Sequence, residues 1–128
     1  AQRLAQEIHS RGVPVAGEQL GFTQSHTLLL QTSQWGTAGA IAERLEDANI
    51  IATDCSLPAL LGNEGIRIGT QEMTRCGMMA ADAPEMAELI VSALKQEAPA
   101  DSIRAQVKKL RQRLNTNPFV FDLREVGA

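Results

Sequence analysis

The sequence is poor in aromatic residues, and this scarcity limits the surfaces that it can present. Tyrosine is absent, there is one tryptophan, and the three aromatic types together make up 3% of the 128 residues. Stacking platforms for nucleobases need several such rings. There is also no excess of positive charge, since 12 lysines and arginines stand against 15 aspartates and glutamates. The composition therefore argues against nucleic acid as a partner.

Cysteines and long apolar runs are also scarce. Cys55 and Cys76 are the two cysteines, too few for a disulfide framework, which favours a reducing, cytoplasmic location. No apolar run approaches the roughly 20 residues that span a bilayer, so no membrane is expected as a partner. The chain starts without methionine, inside a helical pattern and with no signal peptide. We expect a piece of a longer protein.

Ready-made sites for nucleotides and metals are missing as well. The sequence contains no GxGxxG, no GxxxxGK[ST], no CxxC and no HExxH motif. His9 and His26 are far apart, and neither cysteine has ligand-like neighbours, so no metal site is predicted. A passive thiol is the favoured interpretation of each cysteine. For His26, which opens an apolar run, a hydrogen-bonded structural role is favoured over a catalytic one.

Apolar periodicity predicts a single α/β (α+β) domain of two layers, with a small sheet of three to four strands covered by helices. Thr37 is a candidate N-cap. Asp82 and Glu85 resemble a capping box, with Pro84 in the first helical turn. Helices are predicted over 1–11, 38–48, 82–98 and 101–114; strands over 13–15, 26–31, 49–53 and 65–70, with an edge strand at 119–121; and a loop over 54–64.

The most informative segment is 65–77, which reads Gly-Ile-Arg-Ile-Gly-Thr-Gln-Glu-Met-Thr-Arg-Cys-Gly. An arginine at the centre of a short strand must meet water, a carboxylate or a ligand, because burying its charge alone is costly. The planar fork of Arg67 matches a carboxylate through two hydrogen bonds. Gly65 and Gly69 have no side chains, so another group can approach the backbone beside Arg67 closely. An internal ion pair with an aspartate or glutamate is an equally good explanation at this point.

This segment resembles the serine (glycine) hydroxymethyltransferase family. The C-terminal domain of that family carries Gly-Ile-Arg-(Ile/Val)-Gly-Thr-Pro-Ala-x-Thr-(Thr/Arg)-Arg-Gly, which residues 65–70 match fully and Thr74, Arg75 and Gly77 continue. Weaker similarities occur in the same order along 1–121: the helix at 4–12, the strand at 23–30, the stretch at 45–50 and the proline at 58.

The resemblance implies the C-terminal small domain of a fold-type I pyridoxal-phosphate enzyme that moves a one-carbon unit between serine and tetrahydrofolate. It implies that Arg67 binds the carboxylate of the amino-acid substrate, with Arg75, Thr70 and His26 in supporting positions. It also implies a parent that is a homodimer or tetramer. The cofactor needs a protected lysine, and Lys95, Lys108 and Lys109 fall on predicted polar helix faces. Pyridoxal 5'-phosphate is therefore expected in a large domain absent from 1–128, so this single domain alone is expected to be inactive, with no catalytic, cofactor-binding or metal residue.

The departures from the family pattern keep other functions open. Gln71 and Glu72 replace Pro-Ala, Gln24 and Ser25 replace the family's Asp-Asn, and Cys55 falls near the position of a folate-contacting asparagine. A folate-independent relative, such as a threonine aldolase, a transaldolase or an α-methylserine-type hydroxymethyltransferase, would keep Arg67 and lose folate contacts. A stand-alone binding module, and an unrelated domain with Arg67 in an internal ion pair, are the remaining alternatives.

Overall fold

The computed structural model describes residues 1–114. Within that range it has five α-helices and three β-strands. In chain order they are α1 Gln2–Ser10, β1 Thr27–Gln31, α2 Ala38–Asp47, β2 Thr53–Ser56, β3 Glu64–Gly69, α3 Gln71–Arg75, α4 Ala83–Lys95 and α5 Ala100–Arg113. No helix in the described part of the chain is long and apolar enough to cross a membrane.

The three strands form an antiparallel sheet in the order β1-β3-β2, so β3 is central. Helix α2 packs on β2 and β3, and α4 packs on α1, α2 and α5. The predicted two-layer α/β (α+β) domain is confirmed, with three strands among residues 1–114. Its antiparallel pairing places neighbouring strands in close hydrogen-bonded contact and leaves one sheet face for the helices to cover.

The core lies between that sheet face and the helices. Because successive side chains of a strand point to opposite faces, alternate residues of β1 and β3 enter the core, and the helices contribute apolar positions three or four residues apart. The fully buried side chains include Leu28 and Leu30 of β1, Ile66 of β3, and Leu4, Ile8, Ile41, Leu45, Ile90, Leu94 and Ile103 of the helices.

The predicted helices are present, and their ends follow partly from the predicted caps. The Thr37 hydroxyl accepts a hydrogen bond from the Ala40 N–H at 3.3 Å, as expected of an N-cap. The capping box at Asp82 is wrong. The Asp82 carboxylate accepts from the Met79 N–H of the preceding turn, and Glu85 binds Arg113. Pro84 alone marks this helix start, since it occupies the first turn.

The strand predicted over 49–53 is also wrong except at Thr53, because Asn49 and Ile50 belong to the turn that ends α2. Asn49 has a left-handed conformation with φ of 61°, and the Ile50 N–H binds the Leu45 carbonyl at 2.9 Å. This hydrogen bond is the one that closes a Schellman motif, in which the residue after the left-handed position packs on the helix. Ile50 is accordingly buried, and β2 begins at Thr53, the last residue of the predicted strand, and continues into the predicted loop.

Two further expectations differ from the structure or fall beyond it. The predicted strand at Val13 and Val15 is reduced to one bridge, between Val15 and Leu30. The short helix α3, over Gln71–Arg75, was not predicted. The edge strand predicted at 119–121 lies outside the described residues.

Candidate functional site

One face of the sheet carries the residues that the sequence singled out. We call it the open face: it comprises Thr27, Leu29 and Gln31 of β1, Thr53 and Cys55 of β2, and Gly65, Arg67 and Gly69 of β3. These residues share a face because Leu28, Leu30, Ile66 and Ile68, which alternate with them, are buried in the core. In the antiparallel register Arg67 lies between Leu29 and Thr53. The arginine therefore occupies the middle of the middle strand.

The Arg67 side chain is exposed on the open face. Among residues 1–114 it makes no ion pair and no side-chain hydrogen bond, while every ion pair found there joins other residues. An arginine fixed as an internal structural cation would be buried against a carboxylate, since an uncompensated buried charge is strongly unfavourable. Within the described residues, the guanidinium is thus not committed to a protein carboxylate.

A side chain of the domain itself lies against each of the two glycines beside Arg67, of which Gly65 is buried and Gly69 exposed. A Cβ built on Gly65 would lie 2.6 Å from Cγ of Leu57, and one built on Gly69 would lie 3.1 Å from Cδ and Nε2 of Gln71. The sequence indicated that some group approaches the backbone at both glycines, and the structure identifies Leu57 and Gln71. Arg67 therefore stands between an apolar side chain and a carboxamide, neither of which the sequence analysis named as a neighbour.

Thr70 and His26 are joined at the edge of the same region. The Thr70 N–H and hydroxyl both donate to the His26 carbonyl, at 2.9 and 3.0 Å, and Thr70 is buried. This pair ties the end of β3 to the start of β1. The His26 side chain is exposed and makes no hydrogen bond to a described residue, so its interpretation as a hydrogen-bonded structural side chain is wrong for residues 1–114.

Arg75 lies on α3 and holds a carboxylate of its own helix. Its Nε and Nη2 donate to the two carboxylate oxygens of Glu72, at 2.9 and 2.6 Å. The hydrogen bond from Arg75 is the main cause that lowers the pKa of Glu72, and the same contact raises the pKa of Arg75. Glu72 thus stays ionised at neutral pH with its charge balanced nearby.

Cys55 shares the open face with Arg67 and titrates under its influence. Burial raises the pKa of the Cys55 thiol, because desolvation disfavours the thiolate, while the positive charge of Arg67 acts in the opposite direction. Cys55 is therefore a neutral thiol at neutral pH, close enough to Arg67 to sense its charge.

This proximity predicts the reactivity of Cys55 in a Cys76→Ser variant, where it is the one remaining cysteine. The rate of alkylation by a thiol reagent should rise with pH along a curve whose midpoint lies above the usual pKa of cysteine. Arg67→Gln should move the midpoint further up, because it removes the charge that favours the thiolate, and Arg67→Lys should not. Equal midpoints in the Gln and Lys variants would contradict the arrangement.

Residues 1–114 do not fit a pyridoxal-phosphate site. Lys95, whose Nζ donates to the Arg11 carbonyl at 2.7 Å and lies over the Trp35 ring, is already engaged. Lys108 and Lys109 are exposed on α5. None of the three is a protected lysine of the kind that an aldehyde cofactor needs. The described part of the chain also contains no group of three metal-ligating side chains.

An apolar groove of about 240 Å³ lies between α3, α4, α5 and the end of β3. Its lining includes Met73, Met86, Val107 and Leu114. Arg67 is not part of the lining, but Gly69 is, so the groove meets the open face at the end of β3.

The chain is similar along most of its length to known proteins. No family model matches the chain. It is 36% identical over 127 residues to the serine hydroxymethyltransferase of Archaeoglobus fulgidus, covering 95% of this chain and 29% of the relative. It is 39% identical over 115 residues to the serine hydroxymethyltransferase of Pyrobaculum calidifontis, covering 88% of this chain and 26% of the relative. The chain thus spans less than a third of these relatives.

The fold also occurs in a solved structure. The crystal structure of L-threonine transaldolase from Pseudomonas fluorescens, in its internal aldimine state, superposes with a TM-score of 0.83 at 24% sequence identity. The superposition covers 99% of this chain and 31% of the transaldolase. The small α/β domain is therefore the fold of one part of a larger enzyme.

Proposed function

Since this chain belongs to the serine hydroxymethyltransferase family, we propose that it is the C-terminal small domain of a pyridoxal-phosphate enzyme and that Arg67 binds the carboxylate of the amino-acid substrate. The longer protein that we propose is called the parent protein below. The observation that carries the proposal is the exposed guanidinium of Arg67 at the centre of the open face, without an ion pair among residues 1–114.

In this proposal the domain binds the carboxylate of the amino-acid substrate and orients it. A guanidinium that donates two parallel hydrogen bonds to a carboxylate fixes its plane as well as its position. With the carboxylate fixed, the bonds around the substrate Cα have a defined direction relative to any reactive group nearby, which lowers the entropic part of the barrier. The neighbours Leu57 and Gln71 occupy the space beside the two glycines that flank Arg67.

Pyridoxal 5'-phosphate would serve as the electron sink of the reaction, and we place it in the proposed large domain. The lysines of this chain do not fit such a site, as described above. We therefore expect the 128-residue chain alone to be inactive, and we assign no catalytic, cofactor-binding or metal-binding residue within it. Arg75, Thr70 and His26 keep supporting roles in this proposal, with Thr70 holding the end of the strand that carries Arg67.

For the whole parent protein we propose interconversion of serine and glycine, with one-carbon transfer to tetrahydrofolate. A folate-independent reaction of the aldolase, transaldolase or α-methylserine type is the second candidate. Cys55 favours it, because a neutral, partly buried thiol on the open face is a weaker hydrogen-bonding group than the family's asparagine amide. A non-catalytic module is the third possibility, and the length of the encoding reading frame tests it.

We also propose that the parent protein is a cytoplasmic homodimer or tetramer whose large domain packs against this one. The support is a set of large apolar side chains exposed on the described surface: Leu20, Ile51, Leu60 and Met79, the first three at least 80% exposed. Such side chains are available for contact with another chain or domain, and a face that is covered in this way gathers them into one patch.

Cleavage of L-serine by the purified parent protein, measured with and without tetrahydrofolate, tests the proposal. A rate that depends on tetrahydrofolate supports the first candidate. Cleavage of a β-hydroxy amino acid at an equal rate without it supports the second. A reading frame that encodes no further domain, or serine cleavage by the 128-residue chain alone, would contradict the proposal that a separate large domain binds the cofactor.

A further inference from the structure

We propose that the carboxamide of Gln71 is a second binding group for the amino-acid carboxylate, acting beside Arg67. The inference rests on the proposed function, in which Arg67 binds that carboxylate. It assigns to Gln71 a contact that sets the orientation of the substrate and the preference for a free carboxylate over an uncharged amide.

The geometry places Gln71 over the strand that carries Arg67. Gln71 is the first residue of α3, and its carboxamide lies where a side chain of Gly69 would begin, with Oε1 nearest to that Cβ position and Cδ and Nε2 3.1 Å from it. Gly69 and Arg67 are two residues apart on the same face of β3, a separation of about 7 Å along a strand. The two side chains therefore start from neighbouring positions on one face of the sheet, and an anion bound by both is the arrangement that we propose.

The Gln71 side chain is free to bind a ligand as far as the described residues show. It is exposed, and no hydrogen bond joins its carboxamide to another residue of 1–114. A carboxamide carries two N–H donors and one carbonyl acceptor. Its Nε2 can therefore donate to the carboxylate oxygen that faces away from Arg67, which completes the hydrogen bonding of an anion on this face.

The neighbouring acidic residue does not oppose this role. Glu72 follows Gln71 directly, and both of its carboxylate oxygens accept hydrogen bonds from Arg75. The negative charge closest in sequence to the carboxamide is thus balanced by a cation on α3. The one net positive side chain on the open face is Arg67, which leaves that face attractive to an anion.

The test uses the parent protein and measures equilibrium binding of L-serine and of L-serinamide, which lacks the carboxylate. Gln71→Ala should weaken serine binding about tenfold, the effect of one hydrogen bond to a charged group, and leave serinamide binding unchanged. Gln71→Glu should weaken serine binding further, because its charge repels the carboxylate. Gln106→Ala, which removes an exposed glutamine from α5, is the matched control and should change neither affinity.

A second variant tests the same contact without altering Gln71. In Gly69→Ala the new methyl group takes the space of the carboxamide and displaces it, so serine binding should again weaken about tenfold. In the double variant with Gln71→Ala the second substitution should add little, since both remove one interaction. Additive losses would overturn the proposal, because they would mean that Gly69 and Gln71 act separately.

Arg67→Ala, measured in parallel, distinguishes a failure of the inference about Gln71 from a failure of the proposed function. Loss of serine binding in Arg67→Ala together with unchanged binding in Gln71→Ala overturns the inference and leaves the proposed function standing. Unchanged serine binding in Arg67→Ala overturns the proposed function, and the role of Gln71 with it.

Discussion

Arg67→Ala in the parent protein is expected to lower kcat/KM for the amino-acid substrate by about 100-fold to 1,000-fold. Removing one partner of a desolvated, hydrogen-bonded charge pair typically costs about 3 kcal/mol or more, and every 1.4 kcal/mol is roughly tenfold. The loss should fall on reactions of amino acids with a free carboxylate. Steady-state kinetics with serine, set against a substrate whose carboxylate is blocked, measures it.

The same substitution should barely change the stability of the 128-residue chain. Arg67 is exposed and has no ion pair among residues 1–114. Its truncation should therefore change the free energy of unfolding by about 0.5 kcal/mol or less, as surface substitutions usually do. Urea denaturation checks this expectation. A loss of about 3–5 kcal/mol in the free energy of unfolding would instead mark a broken internal ion pair, and the proposed carboxylate site would be withdrawn.

Two variants separate charge from geometry at this position. Arg67→Lys keeps the charge and loses the planar fork, so it should recover part of the affinity and little of the orientation, seen as a larger defect in kcat than in KM. Arg3→Ala is the matched control, since Arg3 is an exposed arginine of α1 that pairs with Glu7. Its kinetics should equal those of the unaltered protein.

Ile66→Ala, unlike Arg67→Ala, is expected to lower the stability of the domain strongly, although Ile66 is the neighbour of Arg67 in the sequence. Ile66 is fully buried on the core face of the central strand. Truncating a buried isoleucine to alanine costs about 2–5 kcal/mol, because apolar contact is lost and a cavity remains. For a domain of this size the melting temperature should fall by about 10–20 °C. Thermal or urea denaturation of the 128-residue chain measures the change.

The control for Ile66→Ala is the same substitution at an exposed isoleucine. Ile51 is 80% exposed, so Ile51→Ala should change the free energy of unfolding by about 0.5 kcal/mol or less. Ile66→Val, which removes one methyl group, should cost about 1 kcal/mol. Equal effects at Ile51 and Ile66 would mean that the core face of the sheet is assigned incorrectly.

The contrast between Ile66 and Arg67 shows what the sequence could predict about the site. The alternation of Ile66 and Ile68 with Arg67 was enough to separate a core face from an open face, and the structure confirms it. The helix start at Thr37 was equally local, because the cap is made by a side chain three residues before its donor.

The errors came from residues whose role depends on distant partners or on backbone conformation. Asn49 adopts a left-handed conformation that turns Ile50 back onto α2. The apolar residues that follow Asn49 had predicted a strand, but the chain here ends a helix. Asp82 and Glu85 have capping chemistry, but Met79 and Arg113 take their carboxylates. A pattern of residue types does not say which of two available partners a side chain will bind.

By itself, the sequence indicated the family resemblance, the class of the domain and the arginine to test, because a short motif and a two-residue period are local properties of the chain. The tertiary structure decided what surrounds Arg67: the register that sets it between Leu29 and Thr53, and the folding of Leu57 and Gln71 over its glycines. These contacts join residues from separate elements, and they follow from how the elements pack against each other.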